Sequence, residues 1–413
     1  MDQVIPLHQS TQSTNAYFCA QDYQNNFSDL LDITLAALTT SVPYHHALFG
    51  RISSWLPPHR DLSEYALFTP WQAKQALSYL LDIALPAWAH KPGGLARFSL
   101  PKPLLRRLWR PSEHFVHPDP FSTTHSFADE KWFFINGIAT NKDMATTNAE
   151  MLSQLFWRPI HVINNSTQSL ALDLYQCALG KSFKTSGDVS QPHTLTEPAY
   201  QASLCVLQAL QNKNYKKIVV LAHSQGTIIM ANVLRAIANA YRVCHSKLKH
   251  QTPPKTDAST ELAIATIAPK KVNCEKALLQ AFIDKLKRLE CYMFANCADI
   301  CEYIFLTSGD GPTTGLPYIE NFANEGDLVA RLGMLSPLRK ARNPKVSIHG
   351  KDMIKKGKHA FGHLLNQHYL FDIQAYLESP RMRQNPYPDK EGNLSRLYDY
   401  HRGQSPSPYC STP

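Results

Sequence analysis

A serine at the junction of a strand-like run and a helix-like run has the setting that most clearly indicates chemistry in this chain. Ser224 lies after the apolar run Ile218–Ala222 and before the apolar run Thr227–Ala231. Small residues, Ala222 and Gly226, stand two positions to either side. They allow a strand and a helix to approach closely around a tight turn, and the N–H groups at the start of the helix then face the serine. The pattern predicts that Ser224 is a nucleophile; the alternative is that it only caps the helix.

A carboxylate and a histidine further along the chain could activate this serine. Asp327 follows the strand-like run Pro317–Phe322 and lies 103 residues after Ser224 (327 − 224). His363 follows a glycine, 36 residues after Asp327 (363 − 327). A histidine activates a serine hydroxyl by accepting its proton, and a carboxylate holds the imidazole in the tautomer that this requires. We therefore expect Ser224, Asp327 and His363 to form a catalytic triad.

Other residues compete for the two supporting places. Asp299 and Asp310 are alternative acids, and Asp327 has the simpler explanation that it caps a following helix. His359 is an alternative base. His368 falls on the apolar face of a predicted last helix over 364–378, so we expect it to be a buried histidine that is satisfied by its surroundings.

A second strand-like run ends in Asn136, Gly137 and Ile138, upstream of the serine. Together with the serine turn and the order Ser, Asp, His, this arrangement resembles the α/β-hydrolase superfamily, in particular its lipase and esterase branches. In that family a His-Gly-x segment after an early strand supplies half of the oxyanion hole. The resemblance implies that the backbone N–H groups of Ile138 and Gln225 stabilise the developing oxyanion.

The match departs from the family pattern at two positions. Ala222 stands where the family has glycine, and Asn136 stands where it has histidine. Gly137 also has a simpler explanation, a turn that requires a positive φ. The run Trp157–Asn165 is similar to a poorly characterised branch of the same hydrolases. The resemblance covers about 250 residues, and its motifs are specific to the fold rather than to a substrate.

The elements that must position these residues alternate between strands and helices from about 126 to 375. Such alternation is typical of an α/β fold in which helices cover a mostly parallel central sheet, and right-handed crossovers limit its topology. The resemblance specifies this as the α/β-hydrolase fold. The predicted strands span 131–135, 160–163, 217–221, 290–294 and 318–322, and the predicted helices span 143–156, 169–179, 198–211, 227–241 and 273–289.

Three regions follow from composition and pattern. Residues 1–125, rich in aromatic residues and proline, are expected to form a helical or irregular extension, and residues 126–379 the hydrolase domain with an insertion at about 243–288. We expect the extension and the insertion to roof the active site; the alternative is that the extension pads the far side of the sheet. Residues 380–413 are polar and proline-rich, and we expect a tail with little packed structure.

Composition excludes several classes of protein. Hydrophobic residues make up 44% of the chain and charged residues 18%, which excludes wholesale disorder. The net charge of +9 is spread over separate basic runs and accompanies no nucleic-acid-binding motif, so we expect no nucleic-acid partner. The basic runs are either solvated loops or a means of peripheral contact with anionic lipid headgroups. They span 102–110, 213–217, 247–255 and 339–358.

Cysteine usage and the apolar runs bear on cofactors and location. Nine irregularly spaced cysteines do not indicate a disulfide framework, and Cys291, Cys297 and Cys301 lack the spacing of a metal site, so we expect neither a metal nor another cofactor. Residues 1–23 lack the basic and apolar parts of a signal peptide. The longest apolar runs are shorter than the roughly 20 residues of a membrane span. These features predict a cytoplasmic protein.

Two functions remain open from the sequence. The first is a serine hydrolase that cleaves a carboxylic ester, of a small molecule or of a lipid, through an acyl-enzyme intermediate. The second is a non-catalytic relative with the same fold that acts as a binding or interaction module. An intact triad favours the hydrolase.

Overall fold

A computed structural model describes most of the chain between residue 127 and residue 407. Most of the extension 1–125, the predicted helix over 169–179 except Cys177, and Asp310 lie outside the described residues. The described residues are 62–64, 113–118, 127–138, 140–165, 177, 197–248, 258–267, 275–301, 304–306, 314–342, 346–407 and 409.

The strands and helices of the described residues confirm the predicted alternation. The strands are β1 (Glu113–His117), β2 (Glu130–Ile135), β3 (Ile160–Asn164), β4 (Lys217–His223), β5 (Leu289–Phe294), β6 (Ile300–Cys301), β7 (Ile304–Leu306), β8 (Thr314–Leu316), β9 (Tyr318–Asn324), β10 (Ser347–Ile348) and β11 (Lys351–Lys355). The α-helices are α1 (Lys142–Phe156), α2 (Glu197–Gln211), α3 (Gln225–Leu248), α4 (Ala258–Ile267), α5 (Glu275–Leu286), α6 (Leu328–Arg331), α7 (Pro337–Lys340) and α8 (Phe371–Glu378). A π-helix (Asn366–Leu370) precedes α8, and a 3₁₀ helix spans Arg396–Gly403.

A seven-stranded, mostly parallel sheet forms the centre of the fold. Its strand order is β1-β3-β2-β4-β5-β9-β11, in which only β1 runs antiparallel to its neighbour. Every residue of β4, β5 and β9 is buried. Central parallel strands are covered on both faces, which explains why 218–222 is a continuous apolar run. The α/β architecture expected from the sequence is therefore confirmed.

The register of the sheet brings several loops to one edge. Ile135 of β2 is level with Ala222 of β4, and His223 is level with Phe294 of β5. Phe294 is in turn level with Phe322 of β9. Since these strands are parallel, the loops that follow them emerge side by side at what we call the carboxyl edge, where ligands of open α/β sheets bind.

Helices cover both faces of this sheet. The chain crosses from β2 to β3 in one direction and from β3 through β4 to β5 in the other, so right-handed crossovers place α1 on one face and α2 and α3 on the opposite face. The described part of the insertion 243–288 continues α3 to Leu248 and adds α4 and α5, which pack against α3. No helix of the described residues is long and apolar enough to cross a membrane.

The C-terminal segment is packed, so the expectation of a loose tail after residue 380 is wrong for the part described. Tyr387, Leu397 and Tyr400 are fully buried. The fully buried guanidinium of Arg158 donates to the carbonyls of Tyr400 and Gln404, at 3.3 and 2.7 Å. The hydroxyls of Tyr387 and Tyr400 are satisfied inside the protein, because they donate to Asn324 of β9 and Glu290 of β5.

Candidate active site

Ser224 occupies a strained turn between β4 and α3. Its φ is 57°, which is uncommon for a residue other than glycine and differs from the extended backbone of an ordinary N-cap. Its N–H donates to the Phe294 carbonyl at 3.0 Å, and its own carbonyl accepts from the Thr227 N–H at 2.9 Å and the Thr227 hydroxyl at 2.6 Å. The surrounding backbone thus holds Ser224 in a conformation that simple helix capping does not require.

The two glycines near Ser224 are required by close approach. A Cβ at Gly226 would lie 2.2 Å from the Ile135 carbonyl oxygen, and a Cβ at Gly137 would lie 2.6 Å from Ser224 Cβ. Gly137 is not among the described glycines with a positive φ, so the turn explanation for it is wrong. Its loop instead passes directly beside the serine.

The two residues proposed for the oxyanion hole lie on either side of this contact. Ile138 follows Gly137, and Gln225 is the first residue of α3, where backbone N–H groups have no partner within the helix. Helix N-termini and adjacent loop N–H groups are suited to hold a developing negative charge.

A chain of side-chain amides ties these loops together. Asn136 accepts the Asn165 N–H at 2.8 Å and donates to the Asn165 carbonyl at 3.0 Å and to the Gly137 carbonyl at 3.2 Å. The Asn165 amide donates to Gln225 Oε1 at 2.5 Å. Asn136 therefore has a positional role of its own, although the sequence presents it only as a departure from the family histidine.

The structure brings Asp327 and His363 together. Asp327 is fully buried, and its Oδ2 lies 2.9 Å from His363 Nδ1. Oδ2 also accepts the Tyr369 hydroxyl at 2.6 Å, while Oδ1 accepts the Val329 N–H at 2.8 Å. Burial alone would raise the pKa of Asp327, but His363 and the hydrogen bonds from these three residues lower it below its usual value. Asp327 is thus an ionised carboxylate that both caps α6 and orients the imidazole.

The competing residues do not take these places. Asp299 is buried, but the carboxylate bonded to His363 is that of Asp327. His359 is exposed. His368 is buried as expected, its Nδ1 accepts the Leu364 N–H at 3.0 Å, and burial lowers its pKa to about 4.

His363 also lies beside the turn that carries the serine. Its carbonyl oxygen is 2.7 Å from Nε2 of His223, the residue before Ser224, and the two imidazole rings are 4.7 Å apart with an interplanar angle of 31°. Among the described residues, no hydrogen bond joins Ser224 Oγ to the His363 ring.

A buried carboxylate from the N-terminal region docks next to the same histidine. Glu64 accepts the N–H groups of Asn366 and Gln367 at 2.7 and 3.0 Å. Burial raises the pKa of Glu64 to about 7, although both N–H groups and the nearby His363 act to lower it. Leu62 accepts a hydrogen bond from the Asn366 side chain at 2.8 Å. The sequence contains no local signal for this contact, because its two partners lie about 300 residues apart.

Comparison with protein-family models, with curated proteins and with solved structures gave no significant match to this chain. Within the described residues, no cluster of three or more histidine, cysteine, aspartate or glutamate side chains is arranged to hold a metal ion.

Proposed function

We propose that the chain is a serine hydrolase of the α/β-hydrolase fold that cleaves carboxylic esters. The observation that carries the proposal is the backbone of Ser224, which is held at φ 57° between a fully buried strand and a helix N-terminus. A serine in such a turn is the nucleophile of this fold. The proposed acid follows β9 and the proposed base follows β11, so the chain order Ser, Asp, His agrees with the fold as well.

The mechanism follows from the positions of these groups. Ser224 Oγ attacks the ester carbonyl carbon while His363 Nε2 accepts the hydroxyl proton. The carboxylate of Asp327, bonded to Nδ1, keeps the proton there and stabilises the imidazolium that forms. The N–H groups of Ile138 and Gln225 receive the negative charge on the carbonyl oxygen.

The second half of the cycle uses the same residues in reverse. His363 gives its proton to the leaving alcohol as the carbon–oxygen bond breaks, which leaves the acyl group on Ser224. Water then attacks the acyl-enzyme, with His363 as the base that takes its proton. His363 then returns this proton to Ser224 Oγ, and the carboxylic acid product is released.

The exposed lysines near His363 favour an anionic substrate or surface. Lys356 and Lys358 are exposed on the loop between β11 and His363. Such a rim attracts acidic groups of a substrate or anionic lipid headgroups over a range of about a Debye length, roughly 10 Å at 0.1 M salt. We include a lipid ester among the proposed substrates for this reason. Activity measured along an ester series from acetate to palmitate, with and without anionic vesicles, separates a small ester from a lipid ester.

The decisive experiment is labelling with a fluorophosphonate probe, paired with Ser224→Ala. We expect the probe to modify Ser224, as located by mass spectrometry, and Ser224→Ala to lose both labelling and roughly 10³-fold or more of ester turnover. The thermal midpoint should change by only a few degrees. Ser203→Ala is the matched control, since Ser203 is also buried and, within the described part of the chain, its hydroxyl donates to the Ala199 carbonyl of the same helix.

A folded Ser224→Ala protein with unchanged turnover would exclude this site as the origin of the activity. Wild-type protein that neither reacts with the probe nor hydrolyses any ester in the series would instead support the non-catalytic alternative, a binding module with the same fold.

A further inference from the structure

His223 contacts the loop that carries the proposed base at two points. Its Nε2 lies 2.7 Å from the carbonyl oxygen of His363, and its ring lies against the His363 ring with centroids 4.7 Å apart. His223 is itself only 7% exposed. It is the last residue of β4 and is bonded in the chain to Ser224. β4, which leads directly into the proposed nucleophile, therefore also contacts the loop that carries the proposed base.

We propose that His223 is a positioning residue that sets the distance between His363 and Ser224. This inference rests on the proposed function. The Asp327 carboxylate holds the ring of His363 but not its backbone. His223 holds that backbone from the same rigid strand that carries the serine.

The loop that carries His363 is long and contains two glycines in the left-handed region. Lys355 ends β11 eight residues before His363 (363 − 355), and Gly357 and Gly362 both adopt a positive φ. Asn324 on β9 holds the Gly362 carbonyl at 3.1 Å. The bond from His223 therefore ties the loop directly to β4, and a displacement of about 1 Å between reacting groups can cost roughly 10²-fold in rate.

The hydrogen bond also determines the tautomer of His223. A carbonyl oxygen only accepts, so Nε2 of His223 carries the proton and donates. Burial and the neighbouring His363 lower the pKa of His223 to about 3, and His368 acts in the same direction. The hydrogen bond to the His363 carbonyl and the charge of Asp327 oppose this shift without outweighing it. His223 is therefore neutral throughout the pH range of catalysis. A neutral ring can stack on His363 without repelling the positive charge that His363 gains during turnover.

Two substitutions separate the contribution of the His223 hydrogen-bond donor from that of its aromatic ring. His223→Phe keeps an aromatic ring against His363 and removes the donor, whereas His223→Gln places an amide N–H near the former Nε2 and removes the ring. We expect His223→Phe to lower kcat roughly 10- to 100-fold with KM within about two-fold, because only the reacting geometry changes. His223→Gln should recover most of that loss. A residue needed only for folding would instead lower the thermal midpoint in both variants and leave the kcat of the folded protein unchanged.

A second measurement tests the contact without catalysis. In ¹⁵N-histidine NMR of the whole protein, the His223 ring, assigned by its absence from His223→Phe, should show the Nε2–H tautomer and no titration between pH 5 and 8. An Nδ1–H tautomer, a titration midpoint near 6.5, or a kcat of His223→Phe equal to that of the wild type would overturn the positioning role while Ser224 labelling and turnover stand. Wild-type protein with no labelling and no turnover would overturn the proposed function, and the positioning role with it.

Discussion

The hydroxyl of Tyr369 shares one oxygen of the proposed catalytic acid with His363. It donates to Asp327 Oδ2 at 2.6 Å from within the π-helix, and it is fully buried. Tyr387 from the C-terminal segment stacks on Tyr369 at 5.8 Å and donates to Asn324 Oδ1 at 2.9 Å. The acid is thus held by residues that have no part in a simple triad motif.

We predict that Tyr369→Phe destabilises the protein by about 1.5–3 kcal/mol at neutral pH, because a carboxylate loses a hydrogen bond. The pKa of Asp327 is lowered in the folded protein, so its contribution to stability exists above the ordinary value of 3.8 and is lost as the pH falls through the folded value. The difference in thermal midpoint from the wild type should therefore shrink below about pH 4. Tyr376→Phe is the control, since Tyr376 is partly buried on α8 and does not bond Asp327. A difference that stays at its neutral-pH value as the pH is lowered well below 3.8, as far as both proteins remain folded, would contradict this account.

Leu62, Ser63 and Glu64 of the N-terminal region contact the π-helix that follows the proposed catalytic histidine. The Ser63 hydroxyl donates to Gln367 Oε1 at 2.7 Å, while Glu64 accepts two backbone N–H groups at the start of the π-helix. The Asn366 amide also donates to the Thr147 carbonyl of α1 at 3.1 Å. Residues 62–64, α1 and the π-helix therefore meet at Asn366, three residues after His363. Most of residues 1–125, which we expected to roof the active site, lie outside the described residues.

The contact between Glu64 and the π-helix should make the free energy of unfolding depend on pH. Its pKa is about 7 in the folded protein against a usual value of 4.5, so its favourable contribution is complete below pH 4.5 and is lost as the pH rises through about 7. The difference (7 − 4.5) corresponds to a stability change on the order of 3 kcal/mol. Glu64→Gln cannot ionise, so its thermal midpoint minus that of the wild type should increase between pH 4.5 and 8. The exposed Glu391→Gln serves as the control, and a flat Glu64→Gln difference over this range would show that Glu64 does not titrate as described.

The C-terminal segment closes the end of the sheet opposite the candidate active site. Arg158 pairs with Glu130 at 3.0 Å, and Arg396 pairs with Glu290 at 2.9 Å. The Ser395 hydroxyl donates to Glu320 at 2.5 Å. Glu290 and Glu320 are thus bonded by side chains of the C-terminal segment, whereas Glu130 pairs with Arg158, whose guanidinium donates to carbonyls of that segment.

We predict that Arg158→Ala destabilises the protein by about 3–5 kcal/mol, because the Glu130 carboxylate, whose side chain is 5% exposed, loses its charged partner and keeps the neutral donors Trp132 and Ser405. The kcat below the melting temperature should be unchanged, since the seven residues of β4 separate the two ends of the sheet by roughly 20 Å. The exposed Arg383→Ala is the matched control. Equal thermal midpoints for Arg158→Ala and the wild type would rule out this contribution to stability.

The central elements follow from the sequence alone because their signals are local. Each predicted strand of the sheet is present, and β4 needed only its apolar run and the turn at Ser224 to be recognised. Asp327 and His363 are predicted as site residues from their order in the chain after Ser224 and from the predicted elements next to them. The edge strands β1 and β11 were missed because short, half-exposed strands mix polar and apolar residues and lack a continuous apolar run.

Other features were decided by the tertiary structure. Only the fold shows that Gly137 is needed for close approach to Ser224 and that Asp327 rather than Asp299 bonds His363. Only the fold shows, too, that side chains of a polar C-terminal segment, such as Tyr387 and Tyr400, are buried. The same holds for Glu64 and Tyr369, whose partners lie on separate elements. A polar residue can be buried when a partner satisfies its hydrogen bonds, and the partner's location depends on how the whole chain packs. Local sequence therefore specifies the elements and the serine turn, whereas long-range packing decides which polar side chains support them.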